Sequence, residues 1–350
     1  MTLINELGLQ IPILQAPMAG VSTPKLAAAV SNASALGSIA IGATDLSGAS
    51  AMIDELRHLT PAPFNVNVFV HDAPRRDRDC EENWLAALAP LFAEVGAEPP
   101  RSLRTIYKSF ADDHDMLRLL VDRSPAVISF HFGLPNDAQV RALREAGCKL
   151  IATATSPDEA RAAKRAGMDA VIAQGYEAGG HRGIFDLDRD DARLSTVALT
   201  QILVRNGDLP VIAAGGIMDG QGIRAVLDLG ALAAQLGTAF IACPESAADS
   251  AYRAVLKGSA AHNTVMTSAI SGRPARCISN RFTEFGETVG LSVPAYPVAY
   301  DAGKSLNAAA KAVGETRFGA QWAGEGAPFH RPVPAAELIT LLRKEMGAPA

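Results

Sequence analysis

The chain is poor in cysteine, poor in aromatic residues and free of any basic block. Four cysteines, Cys80, Cys148, Cys243 and Cys277, stand in 350 residues, and no two form a Cys-x-x-Cys pair. That excludes a zinc ribbon and a disulfide scaffold. With no His-x-x-x-His pair and no carboxylate cluster, no metal is expected. A reducing, cytoplasmic setting is the expectation. Arg75-Arg76-Asp77-Arg78 comes nearest to a basic run and carries its own acid. With 32 basic against 37 acidic residues, a net charge of −5, no nucleic-acid partner is expected. Met1 to Gln10 has no basic region leading into an apolar stretch, so no signal peptide is expected. The longest uncharged segment, Leu26 to Thr44, is broken by Ser31, Asn32, Ser34, Gly37, Ser38 and Gly42. It reads as helix, turn and strand, and no membrane span is expected.

What the chain does have is glycine, 30 of them, and 48% hydrophobic residues. Short apolar runs alternate with helical stretches. Eight runs read as strands, near 11–15, 38–41, 64–70, 126–132, 149–153, 170–174, 210–214 and 233–236. Most are continuously apolar, as strands buried on both faces are. Thr23-Pro24 marks a helix start, with Thr23 as N-cap and proline in the first turn. Ser156-Pro157-Asp158-Glu159 reads as a capping box, and Gly167 as the left-handed residue that ends that helix. Eight strands separated by helices predict an α/β (β/α)8 TIM barrel. A doubly wound sheet is the alternative, but its Gly-x-Gly-x-x-Gly turn is missing. Residues 1–243 and 331–350 are assigned to the barrel, with a helical insertion at about 72–123. Residues 244–330 read as an inserted helical cap. Pro334 to Met346 reads as a closing helix, with Leu338, Leu341 and Leu342 on its apolar side.

Barrel enzymes place their chemistry at the C-terminal ends of the strands. Polar residues and glycines gather there: Ala16-Pro17-Met18, Asn67, His131, Gln174, Gly179-Gly180-His181, Gly215-Gly216, and Gln235 to Thr238. Glycine permits close approach of backbone N–H groups to a phosphate, though each pair is equally explained as a turn. Asn67 and Gln174 could offer amides to a flat heterocycle. His181, flanked by glycines, reads as the proton-transfer residue. His131 lies among apolar residues and fits a core histidine as well as a site. The remaining histidines, His58, His71, His114, His262 and His330, read as surface residues. Tyr296, Tyr300 and Lys304 have i, i+4, i+8 spacing and would share one helix face.

Four stretches in this order carry a resemblance. They are Gln15 to Pro24, Gln174 to Gly183 with its Glu-Ala-Gly-Gly-His-x-Gly core, Ala213 to Ile217, and Gln235 to Phe240. They resemble the nitronate monooxygenases, formerly called 2-nitropropane dioxygenases, and the stretches Ser129 to Pro135 and Tyr296 to Lys304 look like the bacterial class I branch. Ser34 departs from the glycine expected in its turn. The resemblance implies non-covalent FMN against Ala16, Pro17, Met18, Asn67, Gln174, Gly179, Gly180, Gly215, Gly216, Gln235, Leu236, Gly237 and Thr238. It implies His181 as the catalytic residue, and substrate contacts from His131, Tyr296, Tyr300 and Lys304. The implied reaction is oxidation of alkyl nitronates, above all propionate 3-nitronate, with O2 through one-electron reduction of the flavin. The products would be a carbonyl compound with nitrite or nitrate. The expected partners are small molecules, the nitronate and O2, with the chain a monomer or homodimer. An FMN-dependent NAD(P)H:quinone or enoyl reductase of the same barrel family is the nearest rival. A flavin-free phosphate-binding barrel and a non-catalytic flavin carrier are more distant ones.

Overall fold

The computed structural model describes residues 2–347. Met1 and residues 348–350, assigned above to the barrel, lie outside the described residues. In chain order the strands are β1 (Ile13–Gln15), β2 (Gly37–Ala40), β3 (Phe64–Phe69), β4 (Val127–His131), β5 (Lys149–Ala154), β6 (Ala170–Gln174), β7 (Gly180–His181), β8 (Val211–Ala214), β9 (Ala233–Leu236), β10 (Thr264–Thr267) and β11 (Ala275–Ile278). All eight expected strands are present. They form one parallel sheet in the order β1-β9-β8-β6-β5-β4-β3-β2. A parallel bridge between Leu14 and Leu36 joins its two edges. There Leu36 N–H donates to the Ile13 carbonyl at 3.0 Å and Gln15 N–H to the Leu36 carbonyl at 2.9 Å. The result is the (β/α)8 barrel.

The uninterrupted apolar runs have a plain cause. Successive side chains of a strand point to opposite faces, and here both faces are dry. Ala170 and Ile172 pack in the barrel interior with Leu14, Val127 and Ile212. Val171 and Ala173 pack the other way, against Leu199 and Leu203 of the helix Thr196–Asn206. Helix starts follow the sequence signals. The Thr23 hydroxyl accepts from Leu26 N–H at 3.0 Å, opening the helix Pro24–Asn32. The capping box at Ser156 is half made. Ser156 accepts from Glu159 N–H, but the Glu159 carboxylate turns away from it. It accepts instead from Thr155 N–H at 2.6 Å and from Phe185 N–H at 2.8 Å. A carboxylate read as a local cap therefore ties a helix to the loop after β6. Gly167 does end that helix, at φ +80°. Ser34 takes the same left-handed conformation at φ +66°, without glycine's freedom.

The region 72–123 supplies the helices Arg78–Glu94 and His114–Arg123. Residues 244–330 contain helices, including Ser250–Lys257, Arg281–Thr288 and Val298–Ala312, but the helical description is incomplete. This segment also carries β10 and β11, which pair antiparallel. β11 then pairs with β7, a strand in the loop after β6, with Ala275 opposite His181 and Arg276 opposite Gly180. The two added regions share a core in which Trp84, Leu88 and Phe92 meet Phe282, Val298 and Leu306. The closing helix, Ala335–Glu345, buries Leu338, Ile339 and Leu342. Leu341, expected on that side, is only half-buried, and Ile339 takes its place. No helix among the described residues is long and apolar enough to cross a membrane.

Candidate active site

A cavity of about 370 Å³ lies where the barrel strands end. Loop residues Ala16, Pro17, Met18, Gly179, Gly180, His181, Gly215, Gly216, Gly237 and Thr238 line it. Asn67, His131, Gln174 and Gln235 reach it from the strands, and Tyr296, Tyr300 and Lys304 from the added segment. Of the residues singled out in the sequence, Leu236 is not on this wall. It is 1% exposed and packs between barrel and helices with Ile13 and Phe240.

The wall has a polar end made of backbone. Among the described residues no acceptor pairs with the N–H groups of Gly216, Ile217, Gly237 or Thr238. A Cβ on Gly237 would lie 3.3 Å from Ala16 Cβ and 3.7 Å from Met18 Sδ, so a side chain there would crowd the loop after β1. Gly179 is glycine for a different reason. Its Cβ would stand 2.5 Å from the Ala323 carbonyl carbon and 2.8 Å from Ala323 Cα. Buried polar atoms without partners are uncommon. Two of them lie on residues of this wall, Gln235 Oε1 and Tyr296 Oη.

The three side-chain amides differ in what they leave free. Gln174 is engaged at both ends: Nε2 donates to the His181 carbonyl at 3.0 Å and Oε1 accepts from Gly183 N–H at 2.8 Å. Asn67 Nδ2 donates to the Ser129 carbonyl at 3.1 Å and its hydroxyl at 3.0 Å. Gln235 has no such engagement and its Oε1 is buried. A heterocycle lying against Gln235 would satisfy that atom, and a phosphate beside Gly216 and Gly237 would satisfy the free N–H groups. The residues present therefore fit a phosphorylated flavin.

His181 is held on all sides. Its Nε2 shares a hydrogen bond with Ser271 Oγ at 2.9 Å, and that hydroxyl donates to the Arg273 carbonyl at 3.2 Å. Its ring sits 5.1 Å from Trp322, 5.5 Å from Tyr296 and 5.6 Å from Phe132. Burial, with His131 and Arg273 nearby, pushes the imidazole down to about 3. The ring is neutral at physiological pH. His131 resolves into a support. Its Nδ1 meets Thr153 Oγ1 at 3.0 Å and its Nε2 donates to the His181 carbonyl at 3.1 Å. Both nitrogens are occupied, and burial holds this ring down to about 4.

Tyr300 and Lys304 lie one turn apart on the helix Val298–Ala312, whereas Tyr296 precedes that helix. The three still reach one cavity because the chain turns into the helix there. Lys304 is exposed, with its ammonium 5.0 Å from the Tyr107 ring and 5.6 Å from the Tyr300 ring. Burial raises Tyr107 and Tyr300 to about 12 and Tyr296 well above its usual value, so all three phenols keep their protons. Tyr107, Phe132, Thr153 and Trp322 line the cavity and were not marked in the sequence. They come from separate regions of the chain, and no short motif joins them. His71 is a correction. Taken above as a surface residue, it is 6% exposed and packs edge-on at 5.1 Å against Tyr296. His58, His114 and His262 are exposed and His330 is half-buried.

The sequence profile described as nitronate monooxygenase matches residues 1–345. A nitronate monooxygenase of Paraburkholderia phytofirmans is 54% identical over 98% of this chain and 94% of its own. One from Pseudomonas aeruginosa is 53% identical over 97% of both chains. Among solved structures, a nitroalkane oxidase from Streptomyces ansochromogenes superposes with a TM-score of 0.90 at 39% identity, covering 99% of this chain and 98% of its own. FabK from Thermotoga maritima superposes with a TM-score of 0.74 at 30% identity, covering 99% and 96%. On this match of profile, sequence and fold, the chain belongs to the nitronate monooxygenase family.

Proposed function

We propose that this enzyme of nitronate oxidation uses FMN and O2, and releases a carbonyl compound with nitrite or nitrate. One observation carries the reading. Unpaired backbone N–H groups and the unpaired Gln235 amide share a single cavity with a buried, neutral histidine. FMN, when bound, supplies the redox chemistry. Gly216, Gly237 and Thr238 would hold its phosphate and Gln235 its heterocycle.

The chain's own residues supply orientation and electrostatics. Lys304 at the mouth meets the carboxylate of a substrate such as propionate 3-nitronate. Tyr296 and Tyr300, both protonated, offer hydroxyl donors inside, and the aromatic wall excludes water. With the Ser271 hydroxyl given to the Arg273 carbonyl, His181 donates its one N–H, on Nε2, to Ser271; its Nδ1 carries only a lone pair, and the Tyr296 and Tyr300 hydroxyls are the donors that meet the nitro oxygens. An imidazole held at about 3 is a weak base at neutral pH. The site therefore favours a carbon acid that arrives already ionised over one the enzyme must deprotonate.

An FMN-dependent NAD(P)H:quinone or enoyl reductase of the same barrel family is the second reading. Purified protein should be yellow and release FMN on denaturation. Mixed anaerobically with propionate 3-nitronate, it should lose visible flavin absorbance; mixed with NADH or NADPH, it should not. Fast bleaching by the nicotinamide and none by the nitronate would reverse the assignment.

A further inference from the structure

Arg273 poses a problem of charge. It lies between β10 and β11, is 4% exposed, and has a buried Nε with no hydrogen-bond acceptor. One terminal nitrogen donates to the Ile184 carbonyl. No carboxylate forms an ion pair with it among the described residues; Glu159 and Asp72 act on it only at longer range. Buried cations are costly and are normally paired.

What Arg273 faces is the cavity wall. Its guanidinium carbon stands 4.3 Å from the centroid of Phe132, a ring that lines the cavity. Phe132 is itself held at φ +77°, a strained conformation for a bulky residue and one that clusters at functional sites. The same ring meets Tyr296 at 5.3 Å and His181 at 5.6 Å. One aromatic ring thus separates a cation from the substrate chamber. The neighbours do not cancel that charge. Burial holds His71, His131 and His181 neutral, and the Tyr296 phenol keeps its proton. Burial lowers Arg273 only to about 10, which leaves it charged at neutral pH.

We infer that Arg273 is the specificity-determining charge of this cavity: its buried guanidinium, acting across Phe132, selects an anionic nitronate over the neutral nitroalkane that is its conjugate acid. This rests on the reading of nitronate oxidation given above. Lys304 cannot do the same work, because it is exposed and serves a carboxylate at the mouth. A buried charge is screened little by salt, whereas an exposed one is screened strongly.

The test uses the flavin-loaded full chain, with ethyl nitronate and freshly dissolved nitroethane, neither of which bears a carboxylate. Wild-type turnover of ethyl nitronate comes first; its absence would overturn the functional reading and the inference together. In Arg273→Met the KM for ethyl nitronate should rise about tenfold, with the affinity for nitroethane within about twofold of wild type. Arg273→Lys should restore most of the difference. Wild-type turnover with an unchanged affinity ratio in Arg273→Met would overturn the inference alone. A purely structural role would weaken both ligands equally. If Arg273→Met fails to fold, two measurements remain decisive. Arg273→Lys should keep the preference for the anion. The wild-type KM for ethyl nitronate should also stay within about twofold between roughly 50 and 300 mM salt. A steep rise with salt would place the selecting charge at the exposed mouth instead.

Discussion

Gly179 and Gly180 are neighbours with opposite reasons for being glycine, and replacing each by alanine separates them. At Gly179 a Cβ would meet the backbone of Ala323 at 2.5–2.8 Å, and Gly324 N as well. Backbone cannot rotate away as a side-chain tip can, so the loop must move by about 1 Å to restore ordinary contact. Overpacking of that kind costs about 1–3 kcal/mol. His181 is two residues on, and a displacement of about 1 Å at reacting groups costs on the order of 100-fold in rate. At Gly180 the φ is +76° and nothing lies within 4 Å of the added carbon. There the penalty is left-handed strain alone, about 1–2 kcal/mol, with His181 kept in place by Ser271, Gln174 and His131. Thermal melting and steady-state nitronate turnover, measured side by side, give the answer. Gly179→Ala should lose most of its activity, whereas Gly180→Ala should lose stability and stay close to the parent in turnover. Equal activity losses in the two, or a near-native Gly179→Ala, would refute the packing explanation.

Ser34→Gly should raise stability by about 0.5–1 kcal/mol, since it relieves left-handed strain at φ +66° and pays back part of it in chain entropy; an unchanged melting temperature would count against this. Burial pushes His131 down to about 4 and His181 down to about 3, from an ordinary value of 6.5. The unfolded chain thus binds more protons below about pH 6.5, and stability should fall with pH from there towards pH 4. His131→Gln should flatten that slope, read by denaturant titration at several pH values. For the same reason, kcat should show no ionisation from His181 between about pH 5 and 9. Lys304→Met should raise the KM for propionate 3-nitronate about tenfold at low salt and leave ethyl nitronate nearly unaffected; parallel losses would remove Lys304 from the carboxylate.

Much of the barrel was legible because its signals are local. Strand runs, the Thr23 cap and the left-handed Gly167 each depend on a few adjacent residues. The positions that reach the cavity were legible for a related reason: in a barrel, strand ends converge by construction, so Asn67, Gln174 and Gln235 had to meet. The rest needed three dimensions. Glu159 fits a local box by spacing, but Phe185 N–H offers its carboxylate a better-placed partner than its own cap. His71 looked like a surface residue because nothing near it in sequence announces Tyr296, which lies more than two hundred positions away. Tyr296 has helical spacing with Tyr300, yet spacing cannot say where the first turn begins. The two-residue strand β7 is too short for any pattern, and its pairing with β11 is a long-range fact.

That pairing changes what the barrel owns. His181 is covalently part of the loop after β6, but its backbone register is set by Ala275 and its ring by Ser271. The barrel lines the glycine-rich part of the cavity with its own residues, whereas the buried histidine on the same wall is aligned by chain nearly a hundred positions downstream. Drift in residues 264–278 is therefore felt directly at His181, with no change in the barrel needed. The cavity of such a scaffold can be reshaped by re-registering a two-residue strand, leaving the barrel untouched.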